Sequence, residues 1–231
     1  MAKISIDWQS FKEKYIRPKK NQFPTGTRVY KGFQGSGKTL SMAADIFQCR
    51  KIFPDCLVYS NLKLKGIKYY PIENSEDLKK ALSAENGEKG VLVCIDEAHL
   101  FFNKKDGISL DVITCISQQR KDRRKIFFTC QIWEDLDVSL RKQVKEVVCC
   151  RKLGRLQLNK IIDGETIRFD KQLGTWTGVT KEYRIFKHNE RLYNAYNTYQ
   201  KIINNREYER TANTPIYYED LPVQRKKIKL L

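Results

Sequence analysis

Apolar and polar residues are arranged along this 231-residue chain in blocks that predict strands and helices in alternation. Residues 91–95 form a continuous apolar run, which is typical of a strand buried on both faces of a parallel sheet, and residues 126–130 are predicted to form another buried strand. Shorter strands are predicted for residues 28–31, 57–60 and 147–150. Because helical patterns separate these runs, the chain is predicted to be an α/β protein, a three-layer sandwich around a mostly parallel central sheet.

Helical periodicity predicts helices over residues 40–51 and 109–124, and another that carries Leu136, Leu140 and Val144 at i, i+4 spacing. After residue 151 the pattern changes. Residues 155–162 and 166–169 flank Asp163-Gly164, which predicts a β-hairpin, and residues 182–187 form a further strand candidate. A last helix is expected over residues 189–203, where Leu192, Tyr196, Tyr199 and Ile203 share one face. We expect that face to pack in the core; stacking on nucleotide bases is the alternative.

These patterns divide the chain into four regions. Residues 1–24 form a basic arm with a short amphipathic helix, and residues 25–152 form the α/β core. Residues 153–204 form a C-terminal extension of hairpin and helix packed on that core, and residues 205–231 form a basic tail.

Charge points to a polyanionic partner. The chain has 44 basic and 27 acidic residues, a net charge of +17, and nucleic acid is the commonest partner for such an excess. A cationic surface without a dedicated partner is the alternative. No apolar run reaches the roughly 18–20 residues that span a bilayer, and the N-terminus has no continuous apolar stretch, so we expect neither membrane insertion nor a secretory signal. The seven cysteines form no CxxC pair, which favours buried free thiols in a cytoplasmic protein over disulfides or zinc.

The most informative motif lies between the first predicted strand and helix. It reads Gly-Phe-Gln-Gly-Ser-Gly-Lys-Thr and matches the phosphate-binding pattern G-x-x-x-x-G-K-[ST] in full. Its glycines let backbone N–H groups surround phosphate oxygens, Lys38 reaches the β- and γ-phosphates, and the Thr39 hydroxyl is a ligand for Mg²⁺. We therefore expect Mg-ATP to be bound by Gly32, Phe33, Gln34, Gly35, Ser36, Gly37, Lys38, Thr39 and Leu40.

Two adjacent carboxylates, Asp96 and Glu97, follow the buried run at residues 91–95. Open α/β sheets bind ligands at the carboxyl ends of their strands. Asp96 is therefore predicted to hold Mg²⁺, and Glu97 to act as the general base for water. A strand ending at a solvated acidic pair is the alternative. Asp96 to His99 also spells the DEAH tetrapeptide of one helicase family, but that family needs two ATPase-like domains, and His99 is interpreted as a packed or surface residue.

Further candidates are polar side chains near the later strands. Gln131 directly follows the predicted strand 126–130. Its amide is placed there to sense the γ-phosphate. Arg120 and Arg124 share a face of the predicted helix, and Arg141 follows on the next one. An arginine supplied by a neighbouring subunit can stabilise the charge on a transferring phosphoryl group, and these three are the leading candidates in a group that also includes Arg123 and Arg151. A solvated basic face is the alternative.

Taken together, these motifs resemble the additional-strand, catalytic-glutamate class of P-loop NTPases, within it the FtsK–HerA lineage, and especially the zonular occludens toxin-like (Zot-like) phage ATPases. Three further stretches are similar to that family: residues 58–64, which include Asn61; residues 118–120 before the Gln131 strand and Leu140-Arg141; and residues 191–198. The resemblance covers about residues 25–200 and implies a P-loop NTPase fold.

The resemblance also implies a function. Members form rings, so a homo-oligomeric pentamer or hexamer with an arginine acting between subunits is expected. Filamentous-phage members carry a transmembrane helix after the ATPase region, and none is predicted here. That departure favours a soluble motor that translocates double-stranded DNA into a viral procapsid from the host cytoplasm, with a capsid portal as a further partner. The alternatives are a Zot-like assembly or extrusion ATPase with a membrane partner, and a nucleotide-dependent switch or small-molecule kinase.

Overall fold

A computed structural model describes residues 22–102 and 108–196. Its strands are β1 (Gly26–Lys31), β2 (Leu57–Ser60), β3 (Tyr70–Pro71), β4 (Val91–Ile95), β5 (Arg124–Cys130), β6 (Val144–Leu153), β7 (Leu156–Asp163), β8 (Arg168–Asp170), β9 (Thr175–Thr177) and β10 (Thr180–Lys187). Its α-helices are α1 (Lys38–Ile52), α2 (Ser75–Ser83), α3 (Leu110–Ser117), α4 (Val138–Lys142) and α5 (Glu190–Asn194).

Eight of the described strands form one sheet in the order β10-β7-β6-β1-β5-β4-β2-β3. The neighbours from β6 through to β3 are parallel, whereas β7 and β10 run antiparallel at one end. Every residue of β4 and of β5 is buried, as predicted for residues 91–95 and 126–130, and β5 also buries the polar residues Arg124, Lys125 and Thr129. The mostly parallel central sheet expected from the sequence is therefore confirmed.

Helices cover both faces of this sheet. Alternate residues of a strand face opposite sides, and β1 places Tyr30 in one apolar cluster and Val29 in another. The Tyr30 cluster includes Leu40 and Ile46 of α1. The Val29 cluster includes residues of α2, α3 and α4, which are Leu78, Val112 and Leu140. These two cores make the three-layer sandwich that the sequence predicts.

A buried charge network ties α1 to the sheet. Arg28 on β1 pairs with Asp45 of α1 at 2.8 Å and with Glu146 of β6 at 2.7 Å, and Arg184 of β10 also pairs with Asp45. Burial raises the pKa of Glu146, but the attraction of Arg28 and Lys125 outweighs it and brings this pKa to about 2. Because each buried charge has an opposite partner, the helix that follows the phosphate-binding motif is held firmly against the central strands.

The prediction of one helix over residues 109–124 is wrong beyond its first half. Helix α3 ends at Ser117, turns follow, and Arg123 has a left-handed φ of 46° immediately before β5 begins at Arg124. The Arg124 guanidinium donates to the carbonyl oxygens of Cys115 at 3.1 Å and Ala84 at 3.0 Å. That buried anchor places Arg124 on the strand, so Arg120 and Arg124 do not share a helical face.

The helix predicted around residues 136–144 is also shorter than expected. The Asp137 carboxylate accepts from the backbone N–H of Ser139 at 2.7 Å and caps the first turn of α4. Leu136 therefore precedes the helix, Leu140 lies within it, and Val144 begins β6.

The hairpin predicted at Asp163-Gly164 is wrong. Strand β7 pairs instead with β6 across the turn that contains Gly154, and with β10 on its other side, while β8 pairs with β9. The Asp163 side chain accepts from the backbone N–H of Glu165 and caps a short 3₁₀ turn. A Cβ on Gly164 would overlap the Val144 carbonyl oxygen, so this glycine is needed for close backbone approach and not for a hairpin turn.

The C-terminal extension continues the central sheet. Strand β6 crosses the predicted boundary at residues 152 and 153, and β10, which contains the predicted strand 182–187, forms one edge. Helix α5 is followed by Tyr196, which is buried in the core as predicted. Tyr199, Ile203, the helix predicted near the N-terminus and the basic tail lie outside the described residues. Among the helices of the described ranges, none has the length and apolar character to cross a membrane.

Candidate active site

The phosphate-binding motif forms the loop between β1 and α1, at the carboxyl end of a central strand. Gly35 and Gly37 have φ values of 75° and 83°, a conformation that glycine adopts without strain. Gly37 is the N-cap of α1 and offers its first turn no side-chain cap, which leaves backbone N–H groups for an anion. The Lys38 ammonium group donates to the Phe33 carbonyl oxygen at 3.1 Å, so it lies against the same loop.

Asp96 lies beside the end of this loop. The Thr39 hydroxyl donates to Asp96 Oδ1 at 3.0 Å, which joins the last residue of the motif to the carboxyl end of β4. Asp96 is 8% exposed, and burial raises the pKa of its carboxyl group, against the effect of hydrogen bonds from Thr129 and Thr39.

A hydroxyl and a carboxylate are hard oxygen ligands, and Mg²⁺ is commonly held by one or two protein groups together with substrate phosphates. Within the described residues there is no cluster of three His, Cys, Asp or Glu side chains that would form a complete metal cage. The oxygen chemistry of Thr39 and Asp96 fits Mg²⁺ bound together with a nucleotide.

Glu97 is held in an uncommon backbone conformation. Its φ of 56° lies in the left-handed region, which costs free energy for a residue with a side chain. Its backbone N–H donates to the Thr129 hydroxyl at 2.8 Å. Its carboxylate lies 3.4 Å from Gln131 Nε2 and 3.4 Å from His99 Nδ1. The structure thus places Gln131 and His99 beside Glu97, and the sequence did not assign His99 to the site.

Two further polar residues organise the carboxylates, and sequence reasoning assigned a role to neither. Thr129 of β5 donates to Asp96 Oδ1 at 2.7 Å while accepting from the Glu97 N–H. Asn61, after β2, donates to the Asp96 carbonyl oxygen and accepts from the Asp96 N–H, both at 2.8 Å. Thr129 of β5 therefore holds the side chain of Asp96, and Asn61 at the end of β2 holds its backbone, so hydrogen bonds reach Asp96 from both neighbouring strands.

The three candidate arginines have different surroundings. Arg124 is 1% exposed and also pairs with Asp122 at 3.2 Å, so it cannot reach another subunit. The Arg141 guanidinium lies over the Trp176 ring, 5.6 Å from its centroid. Arg120 is exposed in the turn after α3. No contact found in the described ranges joins Arg120 or Arg141 to Lys38 or Glu97.

Comparisons with known proteins support the fold. No family model matches the chain, and no curated protein matches its sequence. The N-terminal domain of zonular occludens toxin from Neisseria meningitidis is similar in structure, with a TM-score of 0.56 and 19% identity, over 74% of this chain and 98% of that one. B204, the DNA-packaging ATPase from Sulfolobus turreted icosahedral virus, gives a TM-score of 0.49 and 12% identity, over 68% of this chain and 97% of that one. The architecture shared with the toxin domain, together with the loop geometry, shows that this chain has the α/β fold of a P-loop NTPase.

Proposed function

We propose that this protein is a Mg²⁺-dependent ATPase. The observation that carries the proposal is the 3.0 Å hydrogen bond between Thr39 and Asp96, which joins the phosphate-binding loop to the end of β4. Glu97 follows directly, with its backbone fixed by Thr129. The phosphate-binding loop, the proposed magnesium ligands and the candidate base thus lie at the carboxyl ends of β1 and β4, parallel strands on either side of β5, where α/β folds place their chemistry.

Each group has a distinct part in the proposed reaction. Backbone N–H groups of the loop and Lys38 hold the phosphates, while Thr39 and Asp96 hold Mg²⁺. When bound, Mg²⁺ neutralises charge on the β- and γ-phosphate oxygens. The Glu97 carboxylate accepts a proton from the water whose oxygen attacks the γ-phosphorus, and ADP leaves as the bond to its β-phosphate oxygen breaks. The Gln131 amide, 3.4 Å from Glu97, holds that carboxylate in place.

We infer further that hydrolysis drives double-stranded DNA through a homo-oligomeric ring, a pentamer or hexamer, during packaging of a viral genome into a procapsid. A net charge of +17 supports a polyanionic partner, since basic side chains gain affinity by releasing the counterions of DNA phosphates. The seven cysteines are all free thiols, consistent with work in a reducing cytoplasm. A capsid portal is the protein partner that such a motor needs.

Arg120 is the remaining candidate for an arginine acting between subunits. It is exposed in the turn after α3, whereas Arg124 is buried and Arg141 lies against Trp176. An exposed guanidinium can enter a neighbouring site without breaking existing buried contacts. In a ring, Arg120 would stabilise the charge that develops on the phosphoryl group bound by the next subunit.

The experiment is ATP hydrolysis with and without double-stranded DNA, for the unchanged protein and Glu97→Gln. We expect DNA to stimulate hydrolysis by the unchanged protein, and Glu97→Gln to abolish it while nucleotide binding is retained. The matched control is Glu88→Gln, since Glu88 is exposed and pairs only with Arg123 at 3.4 Å among the described residues. Hydrolysis unaffected by Glu97→Gln would reject the mechanism. Stimulation by small phosphate acceptors, and not by DNA, would favour a kinase.

A subunit-mixing experiment tests the ring. Mixed rings of Glu97→Gln and Arg120→Ala subunits contain interfaces where an intact Glu97 faces an intact Arg120, so part of the activity should return. Lys121→Ala, an exposed neighbour in the same turn, is the control and should lower activity little by itself. Absence of rescue at every mixing ratio would reject Arg120 as the group acting between subunits.

A further inference from the structure

Gln157 of β7 lies directly against the phosphate-binding loop, although 121 residues separate it from Ser36 in the sequence. Its side chain is fully buried, and its Nε2 donates to the Ser36 carbonyl oxygen at 2.9 Å. A Cβ added to Gly37 would overlap the Gln157 amide oxygen, so the loop and this side chain are in tight contact. The strand that reaches the loop belongs to the antiparallel C-terminal extension.

The orientation of the Gln157 amide is fixed by its partners. Its Nε2 faces two acceptors, the Ser36 carbonyl oxygen and Asn159 Oδ1 at 3.0 Å. Its Oε1 faces His188 Nε2 at 3.1 Å, and the other ring nitrogen, His188 Nδ1, lies 2.6 Å from the Tyr193 hydroxyl. A flipped amide would place its oxygen against two oxygens, so only one orientation satisfies the network.

The hydrogen bond to Ser36 sets the direction of the next backbone N–H. In a trans peptide the C=O and the N–H of one unit point in opposite directions, and the described residues contain no cis bond. Holding the Ser36 carbonyl towards Gln157 therefore turns the Gly37 N–H away from the Gln157 side chain. The same bond keeps a carbonyl oxygen from facing phosphate, which it would repel.

The network also reaches the helix after the loop. Asn159 Nδ2 donates to the Ser41 hydroxyl of α1 at 3.1 Å. The first turn of α1 and the Ser36–Gly37 peptide are thus both hydrogen-bonded to β7, through two side chains that bond to each other. Buried networks whose members are all satisfied hold one geometry.

We propose that Gln157 is a positioning residue that keeps the phosphate-binding loop open to phosphate by fixing the Ser36–Gly37 peptide, with His188 setting the orientation of the Gln157 amide. The proposal rests on nucleotide binding at this loop. It assigns the C-terminal extension a function in the site, since β7 contributes Gln157 and the segment after β10 contributes His188. Gln157 acts through the backbone and need not touch the nucleotide.

The main test compares Gln157→Glu with the unchanged protein. The substitution keeps the shape of the side chain but places an oxygen against the Ser36 carbonyl oxygen. We expect Kd for a fluorescent ATP analogue and KM for ATP to rise at least tenfold, with kcat changing less than about threefold, because the loss is one of phosphate binding. The matched control is Gln172→Glu in an exposed turn, which should change neither constant.

His188 supplies a second pair of variants. His188→Gln can retain a donor to the Gln157 amide oxygen, whereas His188→Leu cannot. We expect His188→Leu to raise Kd and His188→Gln to restore most of the affinity. A purely structural role would instead lower the melting temperature of both Gln157→Glu and His188→Leu without changing Kd for the folded protein.

Hydrogen exchange of the peptide covering residues 32–39, without nucleotide, separates this proposal from the function it rests on. We expect faster exchange there in Gln157→Glu and His188→Leu than in the unchanged protein and in Gln172→Glu. Unchanged exchange and unchanged Kd in both variants would overturn the positioning role. Faster exchange in a protein whose unchanged form binds no nucleotide would support the positioning of the loop and reject the proposed function.

Discussion

Thr129 provides the sharpest test of how the two acidic residues are held. Its hydroxyl is fully buried, donates to Asp96 Oδ1 at 2.7 Å and accepts from the Glu97 N–H at 2.8 Å. Thr129→Val keeps the branched shape and replaces this hydroxyl with a methyl group. A buried carboxylate then loses one of its donors, and a backbone N–H loses its acceptor.

The expected loss in the free energy of unfolding follows from these two hydrogen bonds. A hydrogen bond to a charged group contributes about 1.5–3 kcal/mol, and an unsatisfied buried N–H costs about 1–3 kcal/mol. Asp96 keeps the donor Thr39, and the Glu97 side chain is 32% exposed, so water can reach part of this turn. We therefore expect Thr129→Val to lower the free energy of unfolding by about 3 kcal/mol, in the lower part of the summed range.

The assay is urea denaturation followed by circular dichroism, with ATP hydrolysis measured below the unfolding transition. Thr129→Ser keeps the hydroxyl and loses only a methyl group, so it should lower stability by about 1 kcal/mol. Hydrolysis per folded Thr129→Val molecule should fall about tenfold, as the backbone at Glu97 is no longer fixed. Equal stability and activity in the Val and Ser variants would refute the role assigned to this hydroxyl.

Two other predictions concern stability. Arg124→Met should lower the free energy of unfolding by about 3 kcal/mol, because the carbonyl oxygens of Cys115 and Ala84 lose their buried donor; in urea denaturation the exposed Arg120→Met should stay within about 0.5 kcal/mol of the unchanged protein. Glu146 has its pKa lowered from 4.5 to about 2, so its ionised form stabilises the fold above pH 4.5, and this contribution, about 3 kcal/mol, is lost as the pH falls towards 2. Acid unfolding of Glu146→Gln should lack this component, and an unchanged pH profile would contradict the pKa shift.

The sequence predicted those parts of the fold in which the local pattern of apolar residues matches their burial in the structure. Residues 91–95 are apolar throughout and residues 126–130 are apolar except for Thr129, and they form strands buried on both faces. The phosphate-binding loop was predictable because its glycines and lysine act within one turn. Side chains that act across the sequence could not be predicted in this way. Arg124 fits the helical pattern of the residues before it. Its hydrogen bond to the carbonyl oxygen of Ala84, 40 residues away in the sequence, is what the local pattern does not show.

The supporting side chains of the site were missed for the same reason. Thr129 is typical of any strand interior, and only the pairing of β4 with β5 brings its hydroxyl to Asp96. Asp163-Gly164 has the composition of a hairpin turn. Its conformation is instead decided by the hydrogen bond from the Glu165 backbone N–H to the Asp163 side chain, and by the close approach of Gly164 to the Val144 carbonyl oxygen. The residues proposed to carry the chemistry could therefore be named from the sequence, whereas the residues that hold them in place depend on strand order and register.

The central claim is that this site hydrolyses ATP with Glu97 as the base. The most direct measurement is single-turnover hydrolysis of ATP with Mg²⁺ by the unchanged protein and by Glu97→Gln, with nucleotide binding measured on the same samples. The account predicts that both bind the nucleotide and that hydrolysis by Glu97→Gln is at least ~100-fold slower. Equal rates in the two proteins, or no binding by the unchanged protein, would contradict it.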